Sequence, residues 1–155
     1  MSENLIKNGD FTKTKDNKVS EWGFSITSGA MSEVIGEMEV KKTKPYCKVA
    51  STETIRQIIN IKSDKKYEIS LNVCGELGGT ISLNYNGNPK PIWVKNLPGE
   101  KQKNEWVEVK FPYEAPSDVK RGLELQIHGN PMANSNDTKN SFLNVTDILV
   151  CEVIK

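Results

Sequence analysis

Short runs of alternating apolar and polar residues recur along the chain, and this period of two predicts β-strands. The alternating runs cover residues 67–73, 81–85, 106–111 and 123–127, and an apolar-rich run closes the chain at 145–153. Turn-forming clusters of Gly, Pro and Asn separate them, at 78–79, 86–89, 98–99 and 129–131. Many short strands between such turns are typical of an all-β sandwich. We therefore expect a single, mostly antiparallel domain over residues 1–155.

Residues 51–61 fit two periodicities. Ile55, Ile58 and Ile59 have the spacing of one helix face, whereas Ile55, Gln57 and Ile59 alternate as one strand face. The β-branched content of the segment favours the strand. On that interpretation Gln57 faces the core as a buried amide bonded to backbone.

Composition removes several classes of protein. The chain has 21 Lys and Arg against 20 Asp and Glu, so it lacks the basic surface of a nucleic-acid-binding protein. No apolar stretch approaches the roughly 20 residues of a membrane span, and no secretory signal is recognisable. Cys47, Cys74 and Cys151 are too widely spaced for a disulfide framework or a zinc site. The one histidine, His128, excludes a multi-histidine metal site.

Six motifs, taken in order, resemble those of carbohydrate-binding modules of the family 4, 9 and 22 type. They are NLIKNGDF at 4–11, EWGF at 21–24, IRQI at 55–58, KYEIS at 66–70, NEWVEVKF at 104–111 and NVTDILV at 144–150. The resemblance spans nearly the whole chain. It implies a jelly-roll β-sandwich of two antiparallel sheets, with a concave face that holds a glycan and no catalytic role. We interpret NLIKNGDF as the first strand, which turns at Asn8-Gly9 and places Phe11 in the core.

The resemblance also bears on calcium. In many of these modules a Glu follows the Phe of the first motif and the last strand carries paired Asp, a set that resembles an oxygen cage for a structural calcium ion. Here Thr12 and Thr146 occupy two of these positions, and Asp147 is the one aspartate that remains of the pair. Losing two carboxylates removes most of the negative charge that such a site needs, so we expect weak calcium binding or none, and no other cofactor. Asp10 and Asp147 are the remaining metal candidates.

Glycan recognition uses flat aromatic rings that stack on a sugar, so aromatic residues outside the core are candidates for the site. Alternation and the resemblance place five aromatic residues in the core: Phe11, Trp22, Tyr67, Trp106 and Phe111. Trp93 lies in the proline-flanked segment PKPIWVK at 89–95, just past a turn, and is predicted to contact ligand. Tyr85 is a second candidate, although its parity with Leu83 favours the core unless the strand twists outward.

Polar residues on the opposite face of the strands are predicted to bond to sugar hydroxyls. Asn72, Asn84, Gln126 and His128 are amides or imidazole rather than charged groups, as a hydroxyl-reading surface requires. Gln126 and His128 alternate on one strand and point the same way, and in related modules the corresponding strand contributes to the cleft. Arg56 is a further candidate. The alternative for this face is an ordinary solvated strand surface.

These features predict a non-catalytic module that recognises a poly- or oligosaccharide on a concave sheet by aromatic stacking and Asn, Gln and His hydrogen bonds. The sequence contains neither a nucleophile elbow nor a phosphate-binding loop, and its acidic residues are scattered. Attachment to a glycoside hydrolase as an accessory module fits this prediction. The alternative is a structural or assembly sandwich that binds a protein partner. The Lys- and Asn-rich composition is typical of bacteria, and we expect an extracellular, cell-surface or particle-surface location, with a cytoplasmic one left open.

Overall fold

A computed structural model describes residues 3–11, 14–15, 18–19, 21–25, 33–35, 46–49, 54–74, 79–85, 90–97, 106–119, 122–129 and 143–153. Within these ranges the regular structure consists of strands. They are β1 (Thr14–Lys15), β2 (Lys18–Val19), β3 (Gly23–Ser25), β4 (Glu33–Ile35), β5 (Tyr46–Val49), β6 (Thr54–Ile59), β7 (Lys66–Cys74), β8 (Gly79–Tyr85), β9 (Pro91–Leu97), β10 (Val107–Glu114), β11 (Leu123–Gly129) and β12 (Leu143–Glu152).

Two five-stranded antiparallel sheets form the sandwich. Sheet I has the strand order β10-β7-β12-β5-β4, and sheet II has the order β3-β6-β11-β8-β9. Strands β1 and β2 pair separately with each other. Neighbours within each sheet are mostly far apart in sequence, because the chain passes repeatedly from one sheet to the other. The predicted all-β sandwich of two antiparallel sheets is confirmed.

The core lies between the sheets and is built from alternate residues of the central strands. Fully buried aliphatic side chains face one another from both sheets: Ile69, Leu71, Ile148, Val150, Ile81, Leu83, Leu123, Leu125 and Ile127. Strand β6 resolves the ambiguity of residues 51–61, since Ile55 and Ile59 are buried whereas Ile58 is 55% exposed. A helix would have buried Ile58 beside them, so the strand interpretation is confirmed.

The N-terminal segment is held by single contacts rather than by a full ladder. Asn4 forms one antiparallel bridge with Cys151, and Leu5 N donates to Val150 O at 2.8 Å. The side-chain oxygen of Asn4 accepts from Val150 N at 2.9 Å. The expected first strand is thus reduced to one bridge, because the side chain of Asn4 takes a backbone donor that a longer strand would have paired. Phe11 is buried as predicted.

Two buried polar contacts fix where this segment lies. Trp22 Nε1 donates to Asn8 O at 2.9 Å, and the Trp22 ring packs at 5.6 Å from that of Phe11. Gln57 faces the core from β6, accepts from Lys7 N and donates to Lys7 O, both at 2.8 Å. The predicted buried amide at Gln57 is confirmed, and it pairs with a backbone as a neighbouring strand would.

Candidate functional site

The outer face of sheet II gathers most of the predicted polar residues. Strand pairing sets their side chains in three rows that cross β6, β11, β8 and β9: Arg56, Gln126, Ser82 and Val94; Thr54, His128, Thr80 and Asn96; Ile58, Glu124, Asn84 and Pro91. Residues of one row share a face because paired positions in a sheet point the same way.

Exposure varies steeply across this face. On β6, Ile58 is 55% exposed, and on β9, Val94 is 50% exposed, but Ser82 and Asn84 on β8 are each 2% exposed. The outer-face residues of β11 between them are half-buried. Solvent exposure of the face is therefore lowest along β8, and aliphatic side chains flank it. We call the surface formed by Arg56, Ile58, Ser82, Asn84, Val94, Glu124, Gln126 and His128 the sheet II trough.

Hydrogen bonds fix several side chains of the trough. Gln126 Nε2 donates to Glu124 Oε1 at 2.6 Å, which orients the amide along β11. His128 contacts hydroxyls of both neighbouring strands, and burial lowers the pKa of its imidazole below the ordinary value. Burial therefore favours the neutral imidazole, because desolvation disfavours its charged form.

The side chain of Arg56 occupies space that is available because residue 23 is a glycine. A Cβ placed on Gly23 would lie 3.2 Å from both Cγ and Nε of Arg56. The arginine side chain therefore passes over the β3 backbone, at the edge of the trough. It supplies guanidinium donors there, in a planar arrangement suited to oxygen acceptors.

The structure brings together Arg56, Asn84, Gln126 and His128 of the predicted polar residues, but not Asn72. Asn72 lies on the outer face of sheet I, where its Nδ2 donates to Asp147 Oδ2 at 2.9 Å. The expectation of one shared surface is therefore corrected for Asn72. Alternation within β7 shows which side of its own sheet the residue occupies, but not which sheet β7 joins.

The two predicted aromatic residues also lie elsewhere. Trp93 pairs with Leu83 and faces the interior, where its ring packs against Phe111 at 6.0 Å and Tyr113 at 5.6 Å. Tyr85 is half-buried against the core, as its parity indicated. The sequence predicted that Trp93 contacts ligand, whereas the structure places its ring in the interior. Strand β9 is an edge strand of sheet II and β10 is an edge strand of sheet I, and the indole fills the gap between these two strands.

Sequence reasoning missed Thr54, Ile58 and Val94 as members or neighbours of the trough. A signal was present for two of them, since Thr54 and Ile58 alternate with Arg56 on β6. Val94 carries no such signal, because its place depends on the pairing of β9 with β8.

Both predicted metal candidates line a pocket of about 310 Å³ beside the N-terminal segment. Its walls include Asn4, Asn8, Asp10 and Asp147. One oxygen of Asp147 already accepts a hydrogen bond from Asn72. Among the residues that the structure describes, no three His, Cys, Asp or Glu side chains are grouped as a metal site would require.

We predict that millimolar Ca²⁺ does not raise the melting temperature of the protein relative to EDTA. Two aspartates supply less charge than calcium sites usually provide, and Asp147 already accepts a hydrogen bond from Asn72. Magnesium at the same concentration is the control for a general salt effect. A rise of several degrees with calcium alone would contradict the prediction.

No protein-family model and no curated protein sequence matches the chain. Solved structures do match. A family 4 carbohydrate-binding module has a TM-score of 0.64 and 17% identity, over 96% of this chain and 99% of that one. A cyclase from Fischerella sp. TAU has a TM-score of 0.71 and 9% identity, over 99% and 98%. The enzymatically active domain of tailspike protein 4 from bacteriophage CBA120 has a TM-score of 0.66 and 11% identity; the match covers 97% of this chain but 21% of that one.

These similarities show the fold. The jelly-roll sandwich of carbohydrate-binding modules, predicted from the resemblance, is confirmed. Modules of families 6 and 61, solved with cellotriose and with β-1,4-galactotriose, also share the fold. The cyclase shows that the same fold occurs in an enzyme. The described residues include no helix of the length and apolarity that a membrane span requires.

Proposed function

We propose that this protein is a non-catalytic carbohydrate-binding module that holds a poly- or oligosaccharide in the sheet II trough. The observation that carries the proposal is the polar centre of this face, where amide, carboxylate and guanidinium groups lie between exposed aliphatic side chains on one face of the sheet. The fold shared with carbohydrate-binding modules supports it, including modules solved with bound oligosaccharides.

The polar groups of the trough suit sugar hydroxyls. Gln126 donates to Glu124 through its amide nitrogen, so its amide oxygen and the second carboxylate oxygen of Glu124 can accept hydrogen bonds from sugar hydroxyls. Arg56 offers donors on the neighbouring strand. Together these groups can accept a hydrogen bond from a sugar hydroxyl and donate a hydrogen bond to it.

The apolar contribution differs from the aromatic stacking that the sequence predicted. The described residues of the trough include no Phe, Tyr or Trp, and Ile58 and Val94 provide its apolar surface instead. Aliphatic contacts are less extensive than a stacked indole. We therefore expect a modest affinity, with a Kd on the order of 100 μM.

A role without catalysis fits the acidic residues of this face. Glu124 is the one carboxylate among the described residues of the trough, whereas glycoside hydrolysis commonly requires two facing carboxyl groups. The proposal therefore assigns binding rather than cleavage of the glycan.

The second candidate function is assembly with a protein partner through the same face. The exposure of Ile58 at 55% on β6 and of Val94 at 50% on β9 favours it, since exposed aliphatic residues on a sheet face can contribute to a protein interface. In that case the polar centre of the trough would pair with groups of the partner chain.

Affinity electrophoresis against neutral and acidic polysaccharides tests the proposal. We expect retardation of the wild-type protein by at least one polysaccharide and a loss of affinity of about tenfold in Gln126→Ala, the value of one or two hydrogen bonds. Asn72→Ala is the matched control, because it removes a similar amide from the opposite face.

Melting temperatures establish that both variants remain folded. Retardation lost in Asn72→Ala but kept in Gln126→Ala would place the glycan on sheet I and overturn the assignment of the trough. Failure of every polysaccharide to retard the protein, together with a defined oligomer in solution, would favour assembly.

A further inference from the structure

Both ring nitrogens of His128 are hydrogen-bonded within the trough. Nδ1 lies 2.8 Å from Thr54 Oγ1 on β6, and Nε2 lies 3.4 Å from Ser82 Oγ on β8. Ser82 Oγ in turn lies 3.0 Å from Asn84 Oδ1. Four side chains from three adjacent strands thus form one continuous chain of hydrogen bonds across the sheet.

The chemistry of its last member fixes the direction of this chain. Asn84 Oδ1 can only accept, so the Ser82 hydroxyl must donate to it. Ser82 has one hydrogen, and its oxygen is then left to accept from Nε2–H of His128. A neutral imidazole with its proton on Nε2 accepts at Nδ1, and Thr54 has a hydroxyl hydrogen to give.

We propose that Thr54, His128 and Ser82 form a one-directional relay that holds His128 as its neutral Nε2–H tautomer and couples glycan binding to protonation of this ring, so that acid releases the glycan. The coupling rests on the proposed function of the trough, whereas the tautomer does not. Thr54 is a positioning residue in this scheme, and His128 braces β6, β11 and β8 rather than reading a hydroxyl, because both of its nitrogens are engaged.

The acid release follows from burial. The ring is already partly buried, and this lowers its pKa. A glycan lying over the trough excludes more water from the ring and lowers the pKa further, since desolvation disfavours the imidazolium. By linkage, a ligand that lowers a pKa binds less tightly once the free protein is protonated.

The charges that face His128 do not remove this dependence. Glu124 lies four residues away on β11 and accepts a hydrogen bond from Gln126, and Arg56 lies one row away on β6. The described outer-face residues of β8 and β9 beside the ring, Thr80, Ser82, Val94 and Asn96, carry no ionisable group. Burial is therefore the main influence on the titration of His128.

Nitrogen-15 NMR of the full chain tests the relay directly, because the protein has a single histidine and gives one imidazole signal. At pH 7.5 we expect a protonated Nε2 and an unprotonated Nδ1, and a midpoint of titration below that of a free histidine. Thr54→Val should lower the ratio of the Nε2–H to the Nδ1–H tautomer about fivefold, the value of one neutral hydrogen bond. A protonated Nδ1 at pH 7.5 in the wild-type protein would overturn the relay.

Thr80→Val is the matched control for the NMR signature. Thr80 faces His128 from β8, is half-buried like Thr54, and makes no hydrogen bond to the ring, whose bonds among the described residues are those to Thr54 and Ser82. We expect it to leave the tautomer ratio unchanged. Equal effects of the two valine variants would contradict a specific role for Thr54.

Affinity electrophoresis at pH 7.5 and at one pH unit below the His128 midpoint found by NMR, with a polysaccharide retained at pH 7.5, tests the coupling. We expect the affinity to fall about fivefold at the lower pH, which corresponds to a further pKa decrease of about one unit on binding. Equal affinity at both pH values would overturn the acid release while leaving glycan binding intact. Absence of binding at either pH would overturn the proposed function and the coupling, and the NMR result would still decide the tautomer.

Discussion

Gly9→Ala is expected to lower the free energy of unfolding by about 3 kcal/mol, at the upper end of the usual cost of overpacking. A Cβ at this position would lie far inside van der Waals contact with the carbonyl oxygen of Ile148, and 3.1 Å from Cγ2 of Ile6. The obstacle is backbone of a core strand and cannot rotate away. Separating the two segments would also break the 3.1 Å hydrogen bond from Ile148 N to Gly9 O. Urea denaturation of the variant measures the effect.

Gly23→Ala is the control for that experiment. Its added Cβ would approach the side chain of Arg56 at 3.2 Å, but this side chain is exposed and can move aside. We expect a cost below about 1 kcal/mol, as is usual for surface positions. If both variants lost a similar amount of stability, the close approach of Gly9 to β12 would not be the main cause of the loss in Gly9→Ala.

Gln57→Leu is expected to cost about 3 kcal/mol of stability, because leucine fills a similar volume but leaves partly buried backbone groups of the N-terminal segment unpaired. The amide accepts from Lys7 N at 2.8 Å and donates to Lys7 O at 2.8 Å and to Glu21 O at 3.3 Å. At 7% exposure the site admits little water to replace these bonds. Urea denaturation and hydrogen exchange at the Lys7 amide should both report the loss.

Gln126→Leu makes the same substitution on the adjacent strand, on the outer face. Gln126 is half-buried, and its amide nitrogen donates to one side chain, that of Glu124. We expect a cost below about 1 kcal/mol, because solvent can hydrate the groups left behind. If Gln57→Leu were equally mild, the buried amide would not be what holds the N-terminal segment to β6.

Much of the fold could be predicted from the sequence because one face of each sheet is buried. Burial of one face imposes a period of two on every strand, and this period is visible without knowledge of the partner strands. It placed Ile55, Gln57 and Ile59 correctly inside and left Ile58 outside. It also predicted that Gln126 and His128 point the same way.

The candidate site was less predictable, because it depends on which strands are neighbours. Asn72 and Asn84 have the same outward parity on β7 and β8, yet the two strands belong to opposite sheets. The contact of His128 with Thr54 joins residues 74 positions apart. No local pattern encodes such a pairing.

The sequence by itself determined the all-β class, the inward and outward parity of the main strands, and the burial of Phe11 and Gln57. The tertiary structure alone decided that Trp93 closes the gap between two edge strands and that Asn72 lies apart from the trough. It also decided that His128 is bonded on both sides. The physical reason is that alternation is set within a strand by its backbone geometry, whereas the surface that a residue joins is set by pairing between distant strands and by packing between sheets.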